Sequence, residues 1–318
     1  MTPKLLHLVG AEVGEGASDG GCKWGAQALR ERGMVQALKA TGRDSIWGDT
    51  VTAQPLHAAS RLDAIEAFSR QLAMSVERAL RKGHQPLVVG GDHSCAAGTW
   101  SAVAQVLQPA GALGLIWIDA HLDAHTPQTS DSQAPHGMPL AALLGHGSDG
   151  MAGLYGWRGK LLPSNVVVIG ARSYEPAEAE LLAALQVRVM TMEEVLDRSF
   201  ATCFDEARAI VKRHTAGWGL TLDLDGLDPL DAPGTGTPVE TGIRLADAVQ
   251  VLAGCGHDPD FVAMELAEYN PLRDFGGHTA QAAMQLVCAA LNLPDATCGQ
   301  STREPPRTGN QKPVHAAW

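Results

Sequence analysis

No apolar run in the 318 residues approaches the ~20 needed for a membrane-spanning helix, so the chain does not read as a membrane protein. Its first residues, MTPKLLHLVG, are interrupted too early for a secretory signal, and the expectation is a cytoplasmic protein. The six cysteines, at 22, 95, 203, 255, 288 and 298, include no CxxC pair. That speaks against a disulfide framework and against a thiolate zinc site, leaving reduced and mostly buried thiols. Basic residues are in deficit, 24 Lys and Arg against 35 Asp and Glu, for a formal net charge of -11. Nucleic acid is therefore a poor partner, whereas a small cation is a compatible one. The glycines at 10–21 have neither the dinucleotide-binding spacing nor the Lys-Ser/Thr pair of a P-loop, which makes a phosphate cradle a weak reading. With no repeat and no linker, one domain is expected over residues 1–293, followed by a polar, proline-bearing tail at 294–318.

What is present is a succession of short apolar runs alternating with helical periodicity. Runs at 5–9, 86–89, 115–118, 166–169, 187–190, 219–222 and 261–266 read as strands. Segments at 24–32, 62–82, 94–107, 200–214, 245–252 and 279–291 read as helices, and the glycine-rich stretch 145–159 as a surface loop. Strands alternating with helices imply an α/β fold with a mainly parallel sheet covered on both faces.

Three of these strands empty into groups that bind metals. Residues 114–136 run from a strand into Asp119, His121, Asp123 and His125. The strand at 86–89 leads through Gly90 and Gly91 to His93, and the strand at 219–222 leads to Asp223 and Asp225. If the chain stays extended, side chains two apart share a face, which would aim Asp119, His121 and Asp123 together, and Asp223 with Asp225. In parallel sheets the crevice beyond the carboxyl ends of the strands is where ligands bind. A lone histidine is more often structural than a ligand, and Asp92, Asp228 and Asp231 suit ordinary turns. Carboxylates at the ends of apolar runs are another matter, because a buried unpaired charge costs several kcal/mol. Four carboxylates and two imidazoles without sulfur suit a pair of first-row divalent ions, manganese foremost, with Asp119 and Asp223 as natural bridges. A water between such ions would lose a proton near neutral pH and become a nucleophile.

GGDHS at 90–94, DAHLDAH at 119–125, HGMP at 136–139, LDLDGLDP at 222–229 and TGTPV at 235–239 together resemble the arginase/agmatinase ureohydrolases. The resemblance implies a three-layer αβα fold, two Mn2+ per subunit, hydrolysis of a guanidino group by a metal-bridging hydroxide, and assembly as a homotrimer or homohexamer. It implies His93, Asp119, Asp123 and Asp223 as ligands of one ion, and Asp119, His121, Asp223 and Asp225 as ligands of the other. Asp123 would relay the proton to the leaving amine, His136 would shuttle it at the cleft mouth, and Glu268 would receive the guanidinium. Ser130 and Ser132 match positions that contact an α-carboxylate, and Glu175 the acid that faces an α-amino group. His125 departs from the asparagine many arginases carry, while remaining a hydrogen-bond donor. L-arginine is accordingly the expected substrate, with agmatine or guanidinobutyrate as the alternative. A metal-stabilised binding protein without activity is the rival of another class.

Overall fold

The computed structural model describes residues 4–54 and 58–292 of the chain. Eight strands form one sheet: β1 (Leu6–Glu12), β2 (Ser45–Thr52), β3 (Gln85–Val89), β4 (Ala112–Ile118), β5 (Val166–Ala171), β6 (Arg188–Thr191), β7 (Thr215–Asp223) and β8 (Phe261–Ala267). Their order is β2-β1-β3-β8-β7-β4-β5-β6, and every pairing is parallel. The last two strands in sequence are thus inserted between β3 and β4, at the centre of the sheet.

Period-two alternation divides the strand side chains between two cores. Ile116, Ile118, Leu220, Leu222, Met264 and Leu266 face one side, where the helices Phe200–Val211, Leu245–Leu252 and His278–Leu291 cover them. Leu115, Trp117, Val166 and Val168 face the other, against the helices Arg61–Arg81 and Cys95–Leu107. Burial of each such aliphatic side chain contributes roughly 1.5–3 kcal/mol, and two filled faces make the three-layer αβα arrangement the stable one. Register then lines up Trp117, Thr221 and Glu265 in one row across β4, β7 and β8. A glutamate in that row is buried where the alternation predicts an apolar side chain.

Several boundaries differ from the sequence expectations. β2 and the helix Met34–Ala40 were not anticipated. β2 is an edge strand whose run SIWGDTVT is largely exposed and contains Gly48 and Asp49, so it lacks a strong apolar pattern. The helix expected through His214 ends at Val211, and a separate helix Met192–Arg198 precedes it across Ser199. Residues 145–159 are not merely surface loop. Ser148 caps a short helix, Asp149–Ala152, and Met151, Ala152 and Leu154 are buried beside the helix Arg61–Arg81. The expected tail at 294–318, with Cys298, lies outside the described residues.

Among the described residues no helix is long and apolar enough to cross a membrane. The five cysteines among them are buried and unbridged, as the spacing predicts.

Candidate metal centre and cleft

The four central strands β3, β8, β7 and β4 end side by side, and each delivers side chains to one crevice. After β3 the chain turns through Gly90 and Gly91, both at positive φ. A Cβ at Gly90 would stand 2.4 Å from the Ala26 backbone nitrogen, so only glycine lets the two segments approach this closely. Asp92, which follows, is more than a turn residue. Its buried carboxylate accepts from Gly16 N at 2.8 Å and Ser94 N at 3.1 Å, pinning the first loop to the crevice.

His93 Nδ1 lies 3.1 Å from Asp119 Oδ2, 2.9 Å from Asp123 Oδ2 and 3.2 Å from Asp223 Oδ2. His121 Nδ1 lies 3.4 Å from Asp119 Oδ1 and 3.3 Å from Asp225 Oδ2. All six residues expected as metal ligands therefore meet, though not by the expected route. β4 ends at Ile118, and Asp119 to Asp123 are a bent loop rather than extended chain. Asp123 sits at φ 48 in the left-handed region, and it is this turn, not alternation, that returns its carboxylate to Asp119. Asp225 likewise belongs to a one-turn 3-10 helix, Leu224–Gly226, for which Asp223 is the N-cap, accepting from Asp225 N at 2.8 Å.

The donors fit divalent ions on observations internal to the site. Asp123 Oδ2 is buried without a hydrogen bond although His93 Nδ1 is 2.9 Å away. Two groups that close and not hydrogen-bonded have lone pairs converging on a common third point. Adjacent donors on an octahedral ion with bonds of ~2.1 Å stand about 3 Å apart, which matches the His93 group. Two clusters fit single ions, His93 with Asp119 and Asp123, and Asp119 with His121 and Asp225.

The surplus of negative charge is visible in the protonation equilibria. Burial alone would lower His93, but the carboxylates of Asp119, Asp123 and Asp223 around its Nδ1 raise it well above its ordinary value. His121 is raised against burial in the same way by Asp225 and Asp119. Burial and the charge of Asp119 push Asp123 up to about 7. Burial with the charges of Asp225 and Asp119 also raises Asp223 well above the usual carboxylate range. Protons are being drawn in where a cation would otherwise stand.

Behind His93, Asp119 and Asp225 further side chains fix the orientation. His93 Nε2 lies 3.0 Å from Thr221 Oγ1, which donates to Glu265 Oε1 at 2.8 Å, so Nε2 carries a hydrogen and Nδ1 is the nitrogen that would face a cation. Trp117 Nε1 donates to Asp119 Oδ2 at 2.8 Å. Thr237 donates to Asp225 Oδ2 at 3.0 Å.

Glu268, at φ 63, is buried beside the floor. Its Oε1 accepts from His93 N at 2.9 Å and from His136 Nδ1 at 3.1 Å, and its Oε2 accepts from Cys22 Sγ at 3.0 Å. Burial would lower His136, but the hydrogen bond and charge of Glu268 push it up to about 9.

A cavity of about 250 Å³ opens above the floor, lined among others by His121, Asp123, His136, Asp223, Asp225 and Thr237. His125, Ser130, Ser132, Tyr174, Glu175 and Glu178 complete its wall, and Glu268 is not among the lining residues. Among the described residues the lining holds five carboxylates and no lysine or arginine, a lining suited to a cation. Ser130 Oγ accepts from Gln133 N at 3.0 Å and Ser132 Oγ from Ala134 N at 3.3 Å, and the two hydroxyls share a hydrogen at 3.4 Å, which leaves one hydroxyl hydrogen for another acceptor. His125 Nε2 faces acids, 3.3 Å from Glu178 Oε2 and 3.5 Å from Glu175 Oε2.

Sequence reasoning passed over Cys22, Trp117, Thr221, Glu178 and Glu265. Glu178 had a signal: Glu175 followed by Pro176 and then an acid three places on is a capping box, and both side chains cap the helix Pro176–Ala184. Cys22 had none, since 246 residues separate it from its partner.

Comparison with known proteins agrees over nearly the whole described chain. A family model described as "Arginase family" matches residues 4–292. An arginase of Brevibacillus brevis is 38% identical over 298 residues, 91% of this chain and 98% of that protein. An arginase of Bacillus caldovelox is 35% identical over 292 residues, 89% of this chain and 97% of that protein. The crystal structure of arginase from Bacillus subtilis matches with a TM-score of 0.85 at 33% identity, covering 91% of this chain and 99% of that one.

Proposed function

Because this chain belongs to the arginase family and is a ureohydrolase acting on a guanidino group, we propose that it hydrolyses L-arginine to urea and L-ornithine with two manganese ions. His93, Asp119, Asp123 and Asp223 would hold one ion, and Asp119, His121, Asp223 and Asp225 the other. Bound there, such ions lower the pKa of water toward neutrality and supply Lewis acidity. Manganese suits a donor set with four carboxylates and no sulfur.

The chain's own groups supply the rest. Water adds to the guanidinium carbon, the bond from that carbon to the side-chain nitrogen breaks, and the nitrogen leaves as an amine once it has gained a proton. Asp123, at the junction of floor and cavity, relays the proton. His136 lines the cavity, and its Nδ1 is engaged by Glu268, which leaves Nε2 for the leaving amine. Glu268 holds and charges that imidazole, and it supplies negative charge behind the guanidinium. At the wall, the Ser130 and Ser132 pair offers a hydrogen to an α-carboxylate, with His125 beside it turned toward Glu175 and Glu178, while Glu175 faces an α-amino group.

The observation that carries this reading is the single cavity joining a cation-hungry floor to a wall of hydroxyl donors and acids. One feature favours a second substrate. With no lysine or arginine in the lining to pair a carboxylate, agmatine, which has only a distal cation, also fits. Urea release from arginine, agmatine and 4-guanidinobutyrate by the manganese-loaded protein separates them. The expected order puts arginine first, and turnover of agmatine with none of arginine overturns it.

A cytoplasmic location is part of the same proposal, supported by five unbridged cysteines, which suit a reducing compartment. So is assembly into a homotrimer or homohexamer, supported by the exposed apolar side chains Leu230, Leu272 and Phe275. A monomer mass by light scattering would remove the latter.

A further inference from the structure

Arg172, just past β5, has no part in the chemistry above and does not line the cavity. Its backbone N–H donates to Ala120 O at 2.8 Å, and Ala120 lies between Asp119 and His121. Its guanidinium donates to six backbone carbonyls: Asp225 at 2.7 Å, Val239 at 2.9 Å, Glu240 at 3.0 Å, Gly170 at 3.1 Å, Leu227 at 3.2 Å and Gly226 at 3.4 Å. Ala120 N in turn donates to Asp225 Oδ1 at 3.3 Å, closing a ring of three residues. Among the described residues no ion pair joins Arg172 to a carboxylate, so its hydrogen-bonding capacity goes to main chain. Only a planar fork reaches that many carbonyls at once, and the short ammonium of lysine does not.

The other half of the centre is held by different means. His93 is fixed by Glu268 and Thr221, and the Asp123 carbonyl by Leu140 N at 3.0 Å. None of these contacts involves Arg172.

We propose that Arg172 is a positioning residue for one half of the centre, the group Asp119, His121 and Asp225, and sets the affinity of the ion held there without touching it. It does so by locking the two loops that carry those ligands, 119–121 and 225–227, at a fixed separation. A preset separation spares the ion the work of gathering its ligands, which is why residues behind metal ligands govern affinity.

The proposal rests on the two-ion reading above, and the test separates the two. Mn2+ is titrated calorimetrically into the metal-stripped wild type and into Arg172→Lys and Arg172→Gln. Wild type takes up two ions. In the variants one binding step weakens about 10–100-fold, while the other, which shares Asp119 but neither His121 nor Asp225, weakens by clearly less. Two wild-type steps that weaken equally in the variants, or not at all, overturn the brace and leave the two-ion reading standing. Fewer than two ions in wild type overturns both.

Should neither variant fold, amide exchange in wild type decides. Removing the weaker ion should speed exchange at Ala120, Arg172 and Ser173 while the His93 amide stays protected. An equal rise at His93 overturns the proposal.

Discussion

The floor and the wall of the cleft are built to different standards. On the floor His93, Asp119, Asp123, Asp223 and Asp225 are at most 5% exposed, and the orientations of His93, Asp119 and Asp225 are set by Trp117, Thr221, Thr237 and Glu265. At the wall His125, Ser130 and Glu178 are buried, but Ser132 is exposed, the Glu175 side chain is 55% exposed, and the serines sit in a turn through Gln133 at positive φ. A buried charge misplaced by an ångström is left unpaired at a cost of several kcal/mol, so the floor tolerates little change. An exposed carboxylate is screened by water and worth at most about 1 kcal/mol, so the wall can vary. The floor is thus locked into the sheet, and the wall is carried by loops that can change without disturbing it.

Removing the ions tests the floor most severely. Exhaustive chelation should abolish urea release and lower the melting temperature, because an ion at 100 times its dissociation constant stabilises the fold by about 2.7 kcal/mol. An unchanged melting curve would mean that the floor needs no cation to hold its shape.

At the boundary between floor and wall, His136→Ala should cut kcat about 100-fold with both ions retained, read by turnover and elemental analysis. Loss of metal instead would move His136 into the floor. The same residue reports the charge beneath it. Its imidazole, raised from about 6.5 to about 9 by Glu268, keeps its proton below that value and loses it above. The stability of the pair is therefore full below pH ~6.5 and gone once the pH has risen through about 9. Followed by NMR, the titration should move downward when ions are added, since positive charge opposes the imidazolium. An upward move would contradict the assigned neighbourhood.

The wall should give the smallest response. Glu175→Gln should raise KM for arginine by no more than about fivefold and leave kcat unchanged, as expected of a half-exposed carboxylate. A large fall in kcat would show that wall and floor are not separate.

How far the sequence foretold this follows the same division. The apolar runs ending in Asp119, His93 and Asp223 announce both strands and site, because a strand that terminates in carboxylates has few other uses for them. The helices Leu245–Leu252 and His278–Leu291 are legible from their periodicity and fall within a residue of expectation. β2 is not legible, since an exposed edge strand needs no apolar alternation. Nor is Asp123 at φ 48: extended spacing suggests the right neighbours for the wrong reason, and a left-handed turn at a non-glycine residue leaves no mark in composition.

The residue types set by themselves what the site can hold. Oxygen and imidazole donors without sulfur suit hard divalent ions wherever those residues end up, and a net negative chain is compatible with a small cationic ligand. Only the tertiary structure decided that they end up together. β8 and β7 close the sheet between β3 and β4, which places Glu268 against His93 across 175 residues and Asp225 against Ala120 across 105. Strand order depends on pairings between distant segments, whose free energy is shared over whole core faces, and no local stretch of sequence contains it.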